Sequence, residues 1–236
     1  MLRDPVSAST HLAMCVWAVF ATLVLWRLCR HDGLKRWTVG CFGLTMILLY
    51  GASGTYHALT LPPEELWYFR MLDHSAIYVL IAGTYTPIFA VLLHGWWRAS
   101  LLTLMWVVAA VGIACKWLLP DLPYPVTVSL YLGMGWLGAL PTLELFRAVG
   151  LRGLAWGLGG GLLYSAGAVC DIVNWPVLYA GVFGSHEMVH LFDMAGTAAH
   201  FIFVVRYVVP YPGRLLPAGS ARLRVPLVRS ESSSAA

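Results

Sequence analysis

The chain has 236 residues, of which 59% are hydrophobic and 11% are charged, and its formal net charge is +4. Average globular chains carry roughly 25% charged residues, so this composition excludes a sizeable water-soluble domain and predicts an all-α integral membrane protein. The basic residues lie at the ends of apolar segments and in the C-terminal tail. The positive charge therefore indicates membrane topology, and no nucleic-acid partner is expected.

Seven apolar segments are each close to the roughly 20 residues that a helix needs to cross a bilayer. They cover residues 7–28, 38–59, 72–93, 98–119, 124–146, 153–173 and 187–209. The sequence thus predicts a seven-transmembrane-helix bundle over residues 1–210, followed by a flexible basic tail with Ser and Pro over residues 211–236. Pro141 is expected to kink the fifth segment, and the glycine-rich run 157–161 is expected to allow close helix packing.

The charges on the two sides of the predicted bundle differ. Seven crossings put the termini on opposite sides, and the side of the N-terminus carries only Arg3, Arg70 and Lys116 among the 15 Lys and Arg residues. The positive-inside rule then makes the other side cytoplasmic. The chain is accordingly expected in the bacterial inner (plasma) membrane, with a cytoplasmic C-terminus.

Polar residues from distant segments are predicted to meet at the side of the N-terminus. The alternating directions of the segments bring together His11, Ser53, His57, Asp73, His74, Asp171, His186 and His190. Ionisable side chains inside a membrane are energetically expensive and indicate function by default. This shared depth is the principal functional signal in the sequence.

The last segment places five polar residues on one narrow stripe, because a helix turns about 100° per residue. The stripe contains His186, His190, Asp193, Thr197 and His200. His186 and His190 are four residues apart, and this spacing lets two helical imidazoles bind one cation. With His57 as the third imidazole and a water as the fourth ligand, the set is typical of a catalytic zinc site. We therefore predict Zn²⁺ bound by His57, His186 and His190.

The residues beside this predicted site are expected to act on the zinc-bound water and on the substrate. Zinc lowers the pKa of a bound water to about 7, which yields a hydroxide nucleophile at neutral pH. Asp73 is predicted to bind that water and accept its proton, and Ser53 is predicted to orient a ligand or contact the substrate.

Simpler interpretations exist for several of these residues. A single histidine at a helix end is usually interfacial or bonded to a neighbour, which applies to His11, His74 and His200. Asp73 lies in the first turn of the predicted third segment and could simply cap that helix, and Asp171 could be a polar group at the edge of a loop.

The segment His186-Glu187-x-x-His190 also matches the zincin metalloprotease pattern, in which the Glu is the general base. Glu187 lies 100° from His186 on the helix, away from the stripe, and no further ligand-bearing segment is evident. The protease hypothesis is therefore the weaker one.

Several motifs appear in a characteristic order. They are Ser53-x-x-x-His57, the segments 72–78, 80–87 and 133–136, and Ser185-His186-Glu187-x-x-His190. This order resembles the bacterial hemolysin III family, within the wider progestin and adipoQ receptor family that includes the adiponectin receptors. The resemblance implies a seven-helix bundle enclosing one zinc, with the ligands at His57, His186 and His190. It assigns the water-binding aspartate to Asp73 and the motif serine to Ser53.

The same resemblance implies an activity. It implies membership of a superfamily of membrane hydrolases that includes alkaline ceramidases. The expected function is therefore a zinc-dependent hydrolase that cleaves a ceramide-like lipid amide or a lipid ester. A membrane lipid would be partner and substrate. The alternative is a non-enzymatic receptor-like protein or a pore-forming cytolysin with a structural zinc. This sequence departs from the pattern at Asp171, where a tyrosine is common, and leaves His11, Asp193 and His200 without an assigned role.

Overall fold

The computed structural model describes residues 2–212, so residues 213–236 of the predicted tail lie outside the described part. Residues 2–212 form helices and contain no β-strand, which confirms the all-α class. The helices are α1 Pro5–Leu28, α2 Gly33–Ala58, α3 Pro63–Leu92, α4 Gly95–Leu118, α5 Tyr124–Leu137, α6 Thr142–Ile172 and α7 Ser185–Phe203, and α7 continues into a π-helical turn over Val204–Val208. Six helical segments of this part, all but α5, are long and apolar enough to cross a membrane. The protein is therefore an integral, multi-pass membrane protein.

The predicted fifth segment, 124–146, is not one continuous helix. α5 ends at Leu137 after 14 residues, which at 1.5 Å per residue gives about 21 Å, less than the roughly 30 Å of a hydrocarbon core. A turn over residues 138–141 follows, and α6 begins directly after Pro141. Proline has no backbone N–H for a helical hydrogen bond, so the break lies where Pro141 was expected to distort the segment.

α6 is itself divided at Gly150, whose φ of 69° and ψ of −179° are non-helical. Glycine tolerates this positive φ because it has no Cβ. The hydroxyl of Tyr124, at the start of α5, donates to Asp171, at the end of α6. The chain must therefore reverse its direction between these two residues.

Close helix contacts hold the first four helices together. α1 packs on α2, α2 on α3 and α3 on α4, while α6 packs on α7 and α7 returns to α1. A Cβ at Gly43 of α2 would overlap Thr22 of α1, and a Cβ at Gly83 of α3 would overlap Thr45 of α2. Small residues at such contacts let the backbones approach, which is the usual basis of helix packing in membranes.

The glycine-rich run of α6 contributes one close contact. A Cβ at Gly160 would overlap the His200 ring of α7, whereas Cβ atoms at Gly157, Gly159 and Gly161 would meet open space. The expectation of close packing at this run is thus confirmed at a single glycine.

Two sets of hydrogen bonds mark opposite ends of the bundle. The backbone N–H of Asp4 donates to the carbonyl of His57 over 3.0 Å, which joins the start of α1 to the end of α2. At the other end, the Lys35 ammonium donates to the carbonyl oxygens of Val209 and Tyr211. We call the first of these the N-terminal end.

Candidate metal centre

Three imidazoles converge at the N-terminal end of the bundle. The Nε2 atom of His186 lies 3.4 Å from Nε2 of His57 and 3.2 Å from Nε2 of His190. One ligand atom from each of the three residues can be chosen so that all lie within 4.8 Å of one another. The predicted meeting of α2 and α7 at this depth is therefore present in the structure.

Each of these rings uses its second nitrogen for another contact. His57 Nδ1 lies 2.9 Å from the Asp4 carboxylate, and His186 Nδ1 lies 3.6 Å from the Asp171 carboxylate. His190 Nδ1 lies 2.6 Å from Nε2 of His11. Outer partners that accept from the far nitrogen of a histidine are typical of metal sites, since they fix the tautomer and the ring orientation.

This pattern fits a cation between the three inner nitrogens. A neutral imidazole has one N–H and one lone pair. If Nδ1 donates to the outer partner, the three Nε2 lone pairs point at one another, which is unfavourable without a positive charge. Two imidazoles on a tetrahedral zinc, at Zn–N distances of roughly 2.0–2.1 Å, would have their nitrogens roughly 3.4 Å apart. The separations of 3.2 and 3.4 Å match that spacing.

The three histidines differ in how firmly they are held. The His57 side chain is 4% exposed and His190 is buried, whereas the His186 side chain is 50% exposed. Outside the cluster, the side-chain contact of His186 is with the buried Asp171, which in turn accepts from the Tyr124 hydroxyl. The Asp171–Tyr124 pair thus connects the most exposed imidazole to α5 and α6.

Asp4 lies just before α1 and remains a charged partner for His57. Its partial burial raises the pKa of the carboxyl, but the hydrogen bonds from His57 and Arg3 lower the pKa by more, so the net pKa is below the ordinary value. An ionised Asp4 accepts the Nδ1–H of His57 and keeps the inner nitrogen free of a proton.

Asp73 and Ser53 lie beside the imidazoles. The two side chains are buried and interact with each other, and both line the same cavity as His186. α3 begins at Pro63, ten residues before Asp73. The expectation that Asp73 lies in the first turn of its helix, with capping as the simpler interpretation, is therefore wrong, because α3 extends well beyond its apolar core towards the N-terminal end.

A cavity of about 260 Å³ extends from the imidazoles between α3, α5, α6 and α7. Its polar end includes Asp73, His186 and His190, while Ile77 and Leu80 line an apolar wall. A mostly apolar cavity with a few convergent polar groups is the usual form of a small-molecule site.

The deeper polar residues of α7 take part in a separate set of contacts. The Thr197 hydroxyl lies 2.7 Å from the hydroxyls of both Tyr50 and Tyr164. His200 Nδ1 donates to the carbonyl of Gly196 over 2.9 Å. The interpretation of His200 as a histidine bonded to a neighbour is thus confirmed. Thr197 and His200 are paired within the protein, whereas Oδ2 of the third deep residue, Asp193, is buried without a hydrogen-bond partner among residues 2–212.

Glu187 has both carboxylate oxygens engaged in local contacts. Oε2 accepts from the backbone N–H of Gly184 over 2.8 Å, and Oε1 accepts from the Ser7 hydroxyl over 3.2 Å. These bonds cap the start of α7. They give Glu187 a structural role in place of the general-base role that the zincin pattern would require.

Asp4, His11 and Tyr124 contact the site in ways that the sequence did not predict. Asp4 lies outside every predicted segment, and Tyr124 is predicted only as the start of a segment. For His11 the simpler interpretation is an interfacial histidine or one bonded to a neighbour, and its bond to His190 agrees with the second of these. Their common signal is position, because each lies at the N-terminal end of its helix at the depth of the histidines.

Comparisons with known proteins agree with these motifs. A family model described as haemolysin-III related matches residues 1–201. The chain is 37% identical to hemolysin-3 of Bacillus cereus over 169 residues, which cover 72% of this chain and 74% of that protein. It is 35% identical to a hemolysin-3 homolog of Bacillus subtilis over 171 residues, or 72% of this chain and 77% of that protein.

A more distant similarity extends to animals. The chain is 27% identical to the human monocyte to macrophage differentiation factor over 207 residues, which cover 86% of this chain and 83% of that protein. The family match spans the three histidines of the cluster and every residue that lines the cavity except Phe203. This chain therefore belongs to the haemolysin-III related family of membrane proteins.

Proposed function

We propose that this protein is a zinc-dependent membrane hydrolase of a lipid amide, or of a lipid ester, with zinc held by His57, His186 and His190. The observation that carries the proposal is the convergence of three Nε2 atoms whose partner nitrogens are all engaged from outside. The chemistry of such a donor set favours zinc, since imidazole suits this metal and three histidines are a common catalytic set.

The number of protein ligands supports a catalytic role over a structural one. Among residues 2–212, the group of possible metal ligands contains three histidines and no fourth side chain. Structural zinc is normally closed by four protein ligands, whereas catalytic zinc keeps a position open. When bound here, zinc would polarise a carbonyl oxygen and lower the pKa of a water to about 7.

The surrounding residues would perform the remaining tasks. The apolar wall with Ile77 and Leu80 would bind an acyl chain and exclude water from the reacting bond. The Asp73 carboxylate would accept the proton of the attacking water and deliver it to the leaving amine. Ser53, which interacts with Asp73, would orient that carboxylate.

The test uses purified full-length protein reconstituted in lipid nanodiscs. Metal analysis should give about one zinc per chain. A ceramide with a fluorescent acyl chain should be cleaved by the wild type, and Asp73→Asn should reduce the rate by about 10²- to 10⁴-fold, as for loss of a general acid–base group. Asp121→Asn is the matched control, because Asp121 is exposed in the loop between α4 and α5.

Two results would contradict the proposal. Wild-type protein without zinc would remove the site assignment. A lipidomic screen in which wild type and Asp73→Asn yield the same products would remove the hydrolase assignment while leaving zinc binding intact.

The names of the bacterial relatives support a second candidate, a pore-forming cytolysin with a structural zinc. In that case the nanodisc assay would show no cleavage, and wild-type protein added to dye-filled vesicles would release the dye. Removal of zinc by a chelator would then lower thermal stability and dye release together.

We also propose that the C-terminus is cytoplasmic, which places the metal site towards the outer face of the plasma membrane. The support is the charge asymmetry of three basic residues against twelve, which is the signal of the positive-inside rule. A phosphatase reporter fused after Ala236 should be inactive, since it would stay inside, and an active fusion would reverse the orientation.

A further inference from the structure

The loop between α6 and α7, residues 173–184, is the longest connection between helices within residues 2–212. No Asp, Glu, Lys, Arg or His occurs between residues 172 and 185. The four-residue connections 59–62 and 138–141 are also uncharged, but the α4–α5 loop at the same end contains Asp121. A 14-residue stretch without a charged side chain is unusual for a connection that faces water.

Apart from Asn174, the larger side chains of this loop are apolar or aromatic, and most of them are exposed. Their exposed fractions lie between 52% and 69% for Trp175, Val177, Leu178, Tyr179 and Val182. Neighbouring large apolar side chains that remain this exposed indicate a surface with a partner. Trp and Tyr are the residues enriched where a protein meets the membrane–water interface.

Most of the backbone N–H groups of the loop donate to acceptors within the protein. Phe183 accepts from the N–H groups of Leu178 and Tyr179 over 3.0 Å each, and Tyr179 accepts from Val182 and Phe183 over 3.0 and 2.8 Å. In all, eight backbone N–H groups of the loop donate to protein acceptors, those of Val173, Asn174, Trp175, Leu178, Tyr179, Val182, Phe183 and Gly184. Internal pairing of this kind is required of a backbone that leaves water for lipid.

We propose that the α6–α7 loop inserts into the lipid leaflet at the N-terminal end of the bundle. Lipid is the partner that fits an uncharged, aromatic and aliphatic surface with a self-paired backbone. The loop leaves α6 two residues after Asp171 and enters α7 two residues before His186, and both of these residues line the cavity. The inserted loop therefore sets the polar end of the cavity at the level of the lipid head groups. This inference does not depend on the metal or on the proposed activity.

Spin labelling of the full chain in lipid nanodiscs tests the proposal. A nitroxide is attached at Leu178→Cys or Val182→Cys after alanine replacement of the five native cysteines, and its collisions with oxygen and with a water-soluble nickel chelate are measured. Insertion predicts high oxygen and low nickel accessibility, as at Phe20→Cys on the exposed face of α1. Nickel accessibility should be several-fold lower than at Asp121→Cys, the control in the neighbouring loop.

Each other outcome overturns the inference. Nickel accessibility equal to that of Asp121→Cys would place the loop in water. Low accessibility to both reagents would mean that a protein surface, such as a second copy of the chain, covers the loop. If the cysteine-free protein does not fold, fluorescence quenching by brominated lipids is compared between wild type and Trp175→Phe. An inserted Trp175 predicts less quenching in the variant, and equal quenching would count against insertion.

Discussion

The first and later turns of α7 carry similar polar side chains on one face but use them differently. In the first turns, the Nε2 atoms of His186 and His190 converge with that of a third imidazole from α2, and their lone pairs face one another when each Nδ1 donates outwards. In the later turns, Thr197 and His200 reach hydroxyl and carbonyl groups of the protein. Similar residue types therefore imply a bound ligand in the first turns of α7, which we call its first half, and internal packing in the later turns, which we call its deep half.

Electrostatics explains why the halves differ. A buried polar group is costly unless it is paired. In the deep half, Thr197 pairs with two hydroxyls and His200 with a carbonyl, whereas the converging imidazole lone pairs need a cation. The following predictions test this distinction.

The largest expected effect is on zinc binding by the first half. His190→Ala should lower zinc content from about one to below ~0.1 per chain, because two imidazoles bind the ion too weakly to survive purification. His200→Ala removes a buried imidazole from the same helix face and should keep the wild-type zinc content. Equal zinc in both variants, measured by plasma mass spectrometry, would abolish the distinction between the halves.

The outer partners should have the next largest effect. Asp4→Ala and Asp171→Asn should each weaken zinc binding by about 10- to 100-fold, the usual cost of losing a group that orients a metal ligand. Asp171→Asn keeps one acceptor oxygen for two donors, His186 and Tyr124. The measurement is zinc release to a chromogenic chelator, with Asp121→Ala as the control at the same end.

A negative result would be informative here. If Asp4→Ala and Asp171→Asn release zinc no faster than Asp121→Ala, the carboxylates lie beside the histidines without supporting them. Visible spectra of the cobalt-substituted variants would show whether ligand geometry had changed, which a general loss of stability would not do.

Packing in the deep half can be tested at Gly160. A Cβ there would overlap the His200 ring, so Gly160→Ala should destabilise the protein by about 1–3 kcal/mol, a typical cost of overpacking. Gly159→Ala adds the same atom in open space and should be neutral or slightly stabilising, because alanine is the better helix former. Reversible unfolding in mixed micelles gives the comparison, and equal stability of both variants would show that α6 and α7 do not approach there.

The smallest effect is expected for the hydroxyl cluster. Thr197→Val removes two hydrogen bonds between helices, which are worth about 0.6 kcal/mol each in membrane proteins. Zinc content should stay unchanged. Thr38→Val is the control, since the Thr38 hydroxyl bonds only carbonyls of its own helix, those of Leu34 and Lys35. A loss of zinc in Thr197→Val would show that the halves act as one unit.

Much of the fold followed from local chemistry. The length of the apolar segments predicted the helical class. The spacing of four residues predicted that His186 and His190 lie on one face, because this depends on helix periodicity alone. Alternating directions then brought His57 to the same depth. The break of the predicted fifth segment was harder to place, because hydropathy continues through residues 138–141 while the backbone does not.

The residues of α7 show what the sequence by itself determined and what required the tertiary structure. Composition and periodicity determined that this is a helical membrane protein with five polar residues on one face of its last helix. Only the tertiary structure decided which of them share a centre. Asp4, His11 and Asp171 reach the imidazoles from other helix ends, and Tyr50 and Tyr164 reach Thr197. These contacts depend on how helices meet across the bundle, and such long-range geometry leaves no periodic signal along the chain.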